Sequence, residues 1–190
     1  MSVLYIIIGL VAAQRLAELA LSRRNTEKLL ARGGHEVGRR HYPLFVALHS
    51  SWLMAILVLV DGNASVNLVW LIMFLILQGA RVWVIASLGE YWTTRIITLP
   101  GEPLIQRGPY RFCRHPNYMI VIGEIALLPL AFGAWEIAIV FSILNGFLLV
   151  YRIKVEEQAL HDRRSKLNPS HQHSGENSGY AVSSENPEVR

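Results

Sequence analysis

The side chains most suited to chemistry lie in a short basic stretch in the second half of the chain. Between residues 107 and 118 the sequence combines cationic and aromatic side chains, namely Arg107, Tyr110, Arg111, Phe112, Arg114, His115 and Tyr118. Guanidinium and imidazole groups donate hydrogen bonds to carboxylates and phosphates, and flat aromatic side chains stack on a ring such as adenine. Prolines between residues 100 and 116 exclude one long helix here. We therefore expect a shaped loop that binds an anionic, ring-bearing ligand.

A second candidate group follows the last apolar segment of the chain. Arg152 and Glu156 are four residues apart, so on a helix they share one face. The apolar residues between the two groups predict a helical hairpin, whose ends at Tyr118 and Tyr151 must then be neighbours. This arrangement predicts a pocket for a charged, ring-bearing cofactor next to a lipid-borne substrate.

The elements that must position these groups are five apolar blocks, at residues 3–21, 42–60, 66–88, 118–132 and 134–151. A helix rises about 1.5 Å per residue, so crossing a hydrocarbon core takes about 20 residues. The fourth block is shorter than this and contains Pro129, so we expect a kink or length borrowed from its flanks. Only Gly133 joins the last two blocks. We predict an all-α integral membrane protein with about five transmembrane helices.

Lysine and arginine accumulate in alternate gaps between the blocks, which predicts the orientation of the chain. They follow the first, third and fifth blocks, whereas the connections at 61–65 and at Gly133 have none. Because basic residues concentrate on the cytoplasmic side, we expect the N-terminus outside, with the C-terminus and the pocket cytoplasmic. The net charge of +4 then reflects topology, and no nucleic-acid partner is predicted. For the basic residues at 107–115, topology and ligand binding remain alternative interpretations.

Two sets of ionisable residues interrupt the apolar blocks. Arg15 and Glu18 are three residues apart on one face of the first block, and such a pair can neutralise itself. Arg81 and Glu124 lie in the third and fourth blocks. Charged side chains at this depth face protein or a water-filled cavity, because contact with lipid costs several kcal/mol. For Arg81 and Glu124 both a structural and a cavity-lining role remain open.

The C-terminal region has a different composition. Residues 165–190 are polar and predict a disordered cytoplasmic tail after one domain at 1–164. His171 and His173 could bind a metal ion, but a solvated tail is the favoured interpretation. The single cysteine, Cys113, excludes a disulfide framework and a thiolate metal cluster, so no metal site is predicted.

The pattern GPYRFCRHPNY, followed by an apolar hairpin and RIKVEEQAL, resembles the isoprenylcysteine carboxyl methyltransferase family. The resemblance is to short bacterial members over residues 1–164, some of which are linked to O-methylation of alkylpyrones, and to the whole family over about 90–160. It implies an S-adenosylmethionine-dependent O-methyltransferase of the bacterial inner membrane. The implied acceptor is lipophilic and has either a prenylcysteine-like carboxylate or an acidic alkylpyrone- or phenol-like hydroxyl.

The resemblance also implies roles for individual residues. Arg152 falls at the position associated with the substrate, where it would hold the acceptor anion. The positions associated with the cofactor are Glu102, Pro103, Leu104, Ile105, Tyr110, His115, Pro116, Asn117, Tyr118 and Glu156. Methyl transfer to an anionic acceptor needs no strong general base, so catalysis can come from positioning and desolvation.

Two other functions remain as alternatives. Membrane sterol reductases that use a nicotinamide cofactor have a similar Arg-His-Pro-x-Tyr segment, so an NADPH-dependent reductase with the same C-terminal core is one. A small non-enzymatic membrane protein is the other. The expected partners are a lipophilic or prenylated acceptor and membrane lipid, and no protein partner is inferred.

Overall fold

Five α-helices form the framework of the computed structural model, which describes residues 2–38, 42–99 and 106–167, with side chains of the last helix described to residue 158. The helices are α1 (Val3–Ala31), α2 (Tyr42–Leu59), α3 (Leu68–Leu88), α4 (Pro116–Ala131) and α5 (Trp135–Leu167). Short 3-10 turns occupy Gly89–Tyr91 and Gly108–Arg111. Each apolar block of the sequence is therefore a helix, as predicted.

Four of these helices, α1, α2, α3 and α5, are long and apolar enough to cross a membrane. They make the chain an integral membrane protein. The fourth helix, α4, has 16 residues and falls short of a full span. Prolines explain its length, since Pro116 occupies its first turn and Pro129 its last, and proline is tolerated at a helix start but not within it.

The last helix continues beyond its apolar block. α5 ends at Leu167, three residues into the segment predicted as a tail. The remaining tail, with His171 and His173, lies outside the described residues.

The first helix also continues past its apolar block, and side chains of its polar second half form hydrogen bonds to residues 89–94, the connection after α3. Asn25 is buried and its Nδ2 donates to the carbonyl oxygens of Gly89 at 3.0 Å and Trp92 at 2.9 Å. The hydroxyl of Ser22 accepts a hydrogen bond from the backbone N–H of Thr94 at 2.8 Å. These contacts give backbone groups of the loop hydrogen-bond partners within the protein. The segment at residues 89–94 is therefore fixed against α1.

The prediction of an all-α chain is wrong in one respect. Two short strands, β1 (His35–Val37) and β2 (Ile96–Thr98), pair antiparallel with Glu36 opposite Ile97. Arg95 pairs with Glu36 at 3.1 Å beside this sheet. Three-residue strands are too short to show a periodic pattern in the sequence. The pairing brings the connection after α1 together with the connection after α3.

The ionisable residues of the apolar blocks form one buried network between α1, α3 and α4. The predicted pair of Arg15 with Glu18 is confirmed at 2.8 Å. Arg15 also reaches Glu124 at 2.8 Å, and Arg81 contacts both Glu124 and Glu18. Gln78 adds a hydrogen bond to Glu124 at 2.8 Å. Two cations thus neutralise two anions, which gives Arg81 and Glu124 a structural role.

Candidate functional site

The α4–α5 hairpin brings the two chemically suited groups of the sequence together. Arg152 Nε donates to the Tyr118 hydroxyl at 2.9 Å, and that hydroxyl donates to a carboxylate oxygen of Glu156. We call Tyr118, Arg152 and Glu156 the hairpin-end cluster. Gly133 allows the tight connection, because its positive φ of 74° is a conformation that side-chain-bearing residues rarely adopt. The neighbouring ends expected from the hairpin are therefore present in the structure.

Other elements fix the orientation of Arg152. Its Nη2 donates to the carbonyl oxygen of Thr94 at 2.8 Å, so the segment held by α1 also holds this side chain. The guanidinium carbon lies 5.2 Å from the ring centre of Phe45 on α2 and 5.7 Å from that of Tyr118. Cation–π contacts of this geometry stabilise a cation without consuming its hydrogen-bond donors. Among the described residues Nη1 has no partner, so it can bind an anion.

Two further predicted cofactor residues adjoin the cluster. The ring of His115 stacks on that of Tyr118, with centroids 5.2 Å apart and planes at 13°. Tyr110 packs on a small apolar cluster that contains Val84, Trp92 and Ile120. Its burial raises the pKa of the phenol, and the negative charge of Glu156 raises it further. Tyr110 is therefore a protonated hydrogen-bond donor at neutral pH, within electrostatic reach of Glu156.

Asn117 supplies an unpaired polar atom at the same end of α4. Its Oδ1 is buried and has no hydrogen-bond partner among the described residues, although the residue lines the cavity described below. A buried acceptor without a partner costs stability unless a ligand donates to it. Pro116, its neighbour, is buried at the start of the helix. Donors on a cofactor, such as an amino group, match this acceptor.

The basic residues before α4 lie in different surroundings. Arg107 Nε donates to the carbonyl oxygen of Ser87 at 2.6 Å, on α3. Arg111 and Arg114 are exposed, and the side chain of Phe112 is 84% exposed. The assignment of these basic residues to topology or to ligand binding therefore stays a prediction. Glu102, Pro103, Leu104 and Ile105 lie outside the described residues.

A cavity of about 430 Å³ leads to the hairpin-end cluster between α1 and α2. Arg152, Tyr118 and Thr94 lie in its wall at one end. Apolar side chains line much of the remainder, among them Ile8, Ala12, Leu16, Leu53, Met54 and Leu57. The stretch of α2 from Tyr42 to Leu57 rises about 22 Å. The cavity therefore suits a molecule with a polar head and a long apolar chain.

Residues of this cavity were missed by the sequence analysis. Phe45 and His49 belong to an apolar block, and Thr94 contributes a backbone carbonyl, which has no side-chain signature. The usable signal was His49, since a polar ionisable residue inside an apolar block is rare and often functional. No group of three or more histidine, cysteine or acidic residues within the described parts of the chain could hold a metal ion.

Comparisons with known proteins identify the region that contains the cluster. The model of the isoprenylcysteine carboxyl methyltransferase family matches residues 70–162. The chain is 36% identical to the uncharacterized protein YpbQ of Bacillus subtilis over 162 residues, which are 83% of this chain and 96% of that protein. It is 28% identical to an uncharacterized protein of Haemophilus influenzae over 157 residues, covering 79% and 90%. No solved structure matches the chain.

Proposed function

We propose that this chain, which belongs to the isoprenylcysteine carboxyl methyltransferase family, is a membrane methyltransferase that transfers a methyl group from S-adenosylmethionine to an acidic oxygen of a lipophilic acceptor. The acceptor oxygen belongs to a prenylcysteine-like carboxylate or to an acidic hydroxyl of an alkylpyrone or phenol. The observation that carries the proposal is the apolar cavity between α1 and α2, which ends at the fixed guanidinium of Arg152.

In this proposal the residues of the chain bind and orient both reactants. S-adenosylmethionine supplies, when bound, a methyl group on a positively charged sulfur. Glu156 offers a carboxylate to the cationic amino or hydroxyl groups of the cofactor, and the unpaired Oδ1 of Asn117 accepts from a further donor. The aromatic rings of Tyr110, His115 and Tyr118 provide flat surfaces for adenine. Pro116, Glu102, Pro103, Leu104 and Ile105 are proposed to complete the cofactor site.

Arg152 has the role of the anion-binding residue. Its Nε and Nη2 are held by Tyr118 and by the backbone of Thr94, so its position does not depend on the acceptor. An oxygen anion at Nη1 would lie at the polar end of the cavity while its apolar chain extends between α1 and α2. Holding two reactants in such a fixed geometry is worth several kcal/mol of barrier lowering. A carboxylate acceptor is already anionic and uses no general base. An acidic hydroxyl loses its proton to solvent water, and the cation of Arg152 favours the oxyanion that then attacks the methyl group.

Equilibrium binding to the purified protein separates this function from the alternatives. We expect radiolabelled S-adenosylmethionine to bind with saturation and NADPH to show no saturable binding. Methyl transfer to a prenylcysteine-like carboxylic acid or to an alkylpyrone or long-chain phenol should then be detected in membranes. Saturable binding of NADPH instead would favour the reductase, and binding of neither would favour a non-enzymatic protein.

We further propose that the hairpin-end cluster faces the cytoplasm of a bacterial cell with the N-terminus outside, an orientation in which the short helix α4 also crosses the membrane. The positions of the basic gaps support this orientation, and the β1–β2 pairing brings two of these gaps to one end. Cys113 is the one cysteine of the sequence and is partly exposed near this end. We expect a membrane-impermeant maleimide to label it in inside-out vesicles and not in intact spheroplasts. Labelling in intact spheroplasts would reverse the proposed orientation, and labelling in detergent provides the control for reactivity.

A further inference from the structure

Apart from Arg152, the charged side chains in the cavity wall are already paired with one another. Arg15, Glu18 and Arg81 line the cavity, but each takes part in the buried network with Glu124. Their charges cancel, so none is left over to attract a charged ligand. Arg15 Nε is a buried donor without a partner among the described residues, so a side chain that accepts a hydrogen bond from a ligand in this part of the cavity must be found outside the network.

His49 of α2 supplies such a group. Its Nδ1 lies 2.8 Å from the carbonyl oxygen of Phe45, which can only accept a hydrogen bond. Nδ1 must therefore carry the proton, which leaves Nε2 of the neutral ring as an acceptor with a lone pair. No residue of the described structure forms a hydrogen bond to Nε2. This tautomer thus leaves one strong acceptor atom in the cavity wall.

Two contacts hold the imidazole in place. Besides the bond to Phe45, the edge of Trp52 meets the ring with centroids 6.5 Å apart and planes at 80°. Trp52 is completely buried, so the contact cannot shift without repacking the core. An acceptor atom that is already fixed before a ligand binds loses little side-chain entropy on binding. His49 therefore has the properties of a recognition group.

The position of His49 relative to Arg152 sets the kind of ligand. The guanidinium of Arg152 lies over the ring of Phe45. His49 follows four residues later, on the same face of α2. One helical turn advances about 5.4 Å along the axis. His49 therefore lies about one helical turn, roughly 5 Å, further along α2 than Phe45. A ligand whose anionic oxygen binds Arg152 would then have atoms near His49 at about the width of one aromatic ring from that oxygen.

We propose that His49 Nε2 is a second polar contact for the acceptor, and that it selects molecules with an additional hydroxyl group one ring width from the oxygen bound by Arg152. The inference rests on the proposed function for the place of the acceptor in this cavity. It favours dihydroxylated rings with a long apolar chain over simple carboxylates and monohydroxyl compounds. His49 here is a specificity-determining residue, because the hydroxyl it binds is not the one that is methylated.

Calorimetric binding to the purified protein in nanodiscs tests this inference with two acceptors that differ by a single hydroxyl. The pair consists of an alkylphenol and the alkylresorcinol with the same alkyl chain. One neutral hydrogen bond to a fixed acceptor corresponds to a roughly three- to tenfold lower Kd for the resorcinol. We expect His49→Phe, which keeps the ring and loses the acceptor atom, to abolish this ratio while it still binds the phenol. His49→Gln, whose amide oxygen reaches a similar position, should restore part of the ratio.

Ser51→Ala is the matched control, because Ser51 also lies on α2 but is exposed, is not among the residues that line the cavity, and donates its hydroxyl to the carbonyl oxygen of Leu48 at 3.0 Å. In this variant the ratio of the Kd values for the alkylphenol and the alkylresorcinol should equal that of the unchanged protein. Equal Kd values for the two compounds, binding of neither compound, or a ratio retained in His49→Phe would each overturn the inference. The proposed function is judged separately, by S-adenosylmethionine binding and by methyl transfer to carboxylate acceptors, so the two can fail independently.

Discussion

Arg152→Ala is expected to lower kcat/KM for methyl transfer by about a hundredfold to a thousandfold, while S-adenosylmethionine still binds. The guanidinium has its Nε and Nη2 donors held by Tyr118 and Thr94, so Nη1 is ready for the acceptor oxygen. Removing the cationic partner of a bound, hydrogen-bonded anion costs about 2–5 kcal/mol, which covers a loss of this size. The comparison is made with membranes containing equal amounts of protein, using radiolabelled methyl donor.

Neighbouring variants make this prediction specific. Lys154→Ala removes an exposed cation from the same helix and should leave kcat/KM unchanged. Arg152→Lys keeps the charge but not the planar fork, so it should recover only part of the activity. Glu156→Gln should instead weaken S-adenosylmethionine binding, because it removes the carboxylate assigned to the cofactor. Full activity in Arg152→Ala, or an equal loss in Lys154→Ala, would show that the assignment of Arg152 is wrong.

Glu124→Gln is expected to destabilise the protein by about 3–5 kcal/mol, since it leaves buried cations without a compensating anion. Glu124 is 1% exposed and accepts hydrogen bonds from Arg15, Arg81 and Gln78. With its charge removed, Glu18 alone opposes two guanidinium groups. Equilibrium unfolding of the purified protein with a denaturing detergent measures the change in the free energy of unfolding.

The control for Glu124 is another ion pair of the same chain. Glu27 pairs with Arg23 at 3.1 Å on the exposed side of α1, where both side chains are more than half exposed. Such surface pairs contribute up to about 1 kcal/mol, so Glu27→Gln should change stability little. Adding Arg81→Gln to Glu124→Gln restores a neutral network and should recover part of the loss. If the single and the double variant are equally unstable, charge balance is not what the network provides.

Sequence reasoning succeeded where one segment alone decides the outcome. A backbone in hydrocarbon must satisfy its own hydrogen bonds, so each apolar block could be predicted as a helix without knowing its neighbours. The hairpin of α4 and α5 followed from a single intervening glycine, and it brought Tyr118 beside Arg152 and Glu156. These three residues of the candidate site were therefore within reach of prediction.

Sequence reasoning failed where the decision depends on distant parts of the chain. Two contacts join segments that no local pattern connects. One is the pairing of β1 with β2, and the other is the pair of hydrogen bonds from Asn25 to the carbonyl oxygens of Gly89 and Trp92. For Arg107 the sequence left topology and ligand binding open, and only the packing on α3 shows that its Nε donates to the carbonyl oxygen of Ser87. In the same way, the charges of Arg81 and Glu124 could be noticed in the sequence, but not assigned to each other.

The hairpin-end cluster shows both contributions in one place. Residue types and spacing predicted that an arginine and a carboxylate would share a face of α5 and meet Tyr118, because helical geometry is local. Tertiary packing decided that the backbone of Thr94 and the ring of Phe45 fix Arg152, and that a cavity with His49 in its wall leads to it. The physical reason is that a cavity and the direction of a side chain depend on how several helices pack together, and this information is spread over the whole chain.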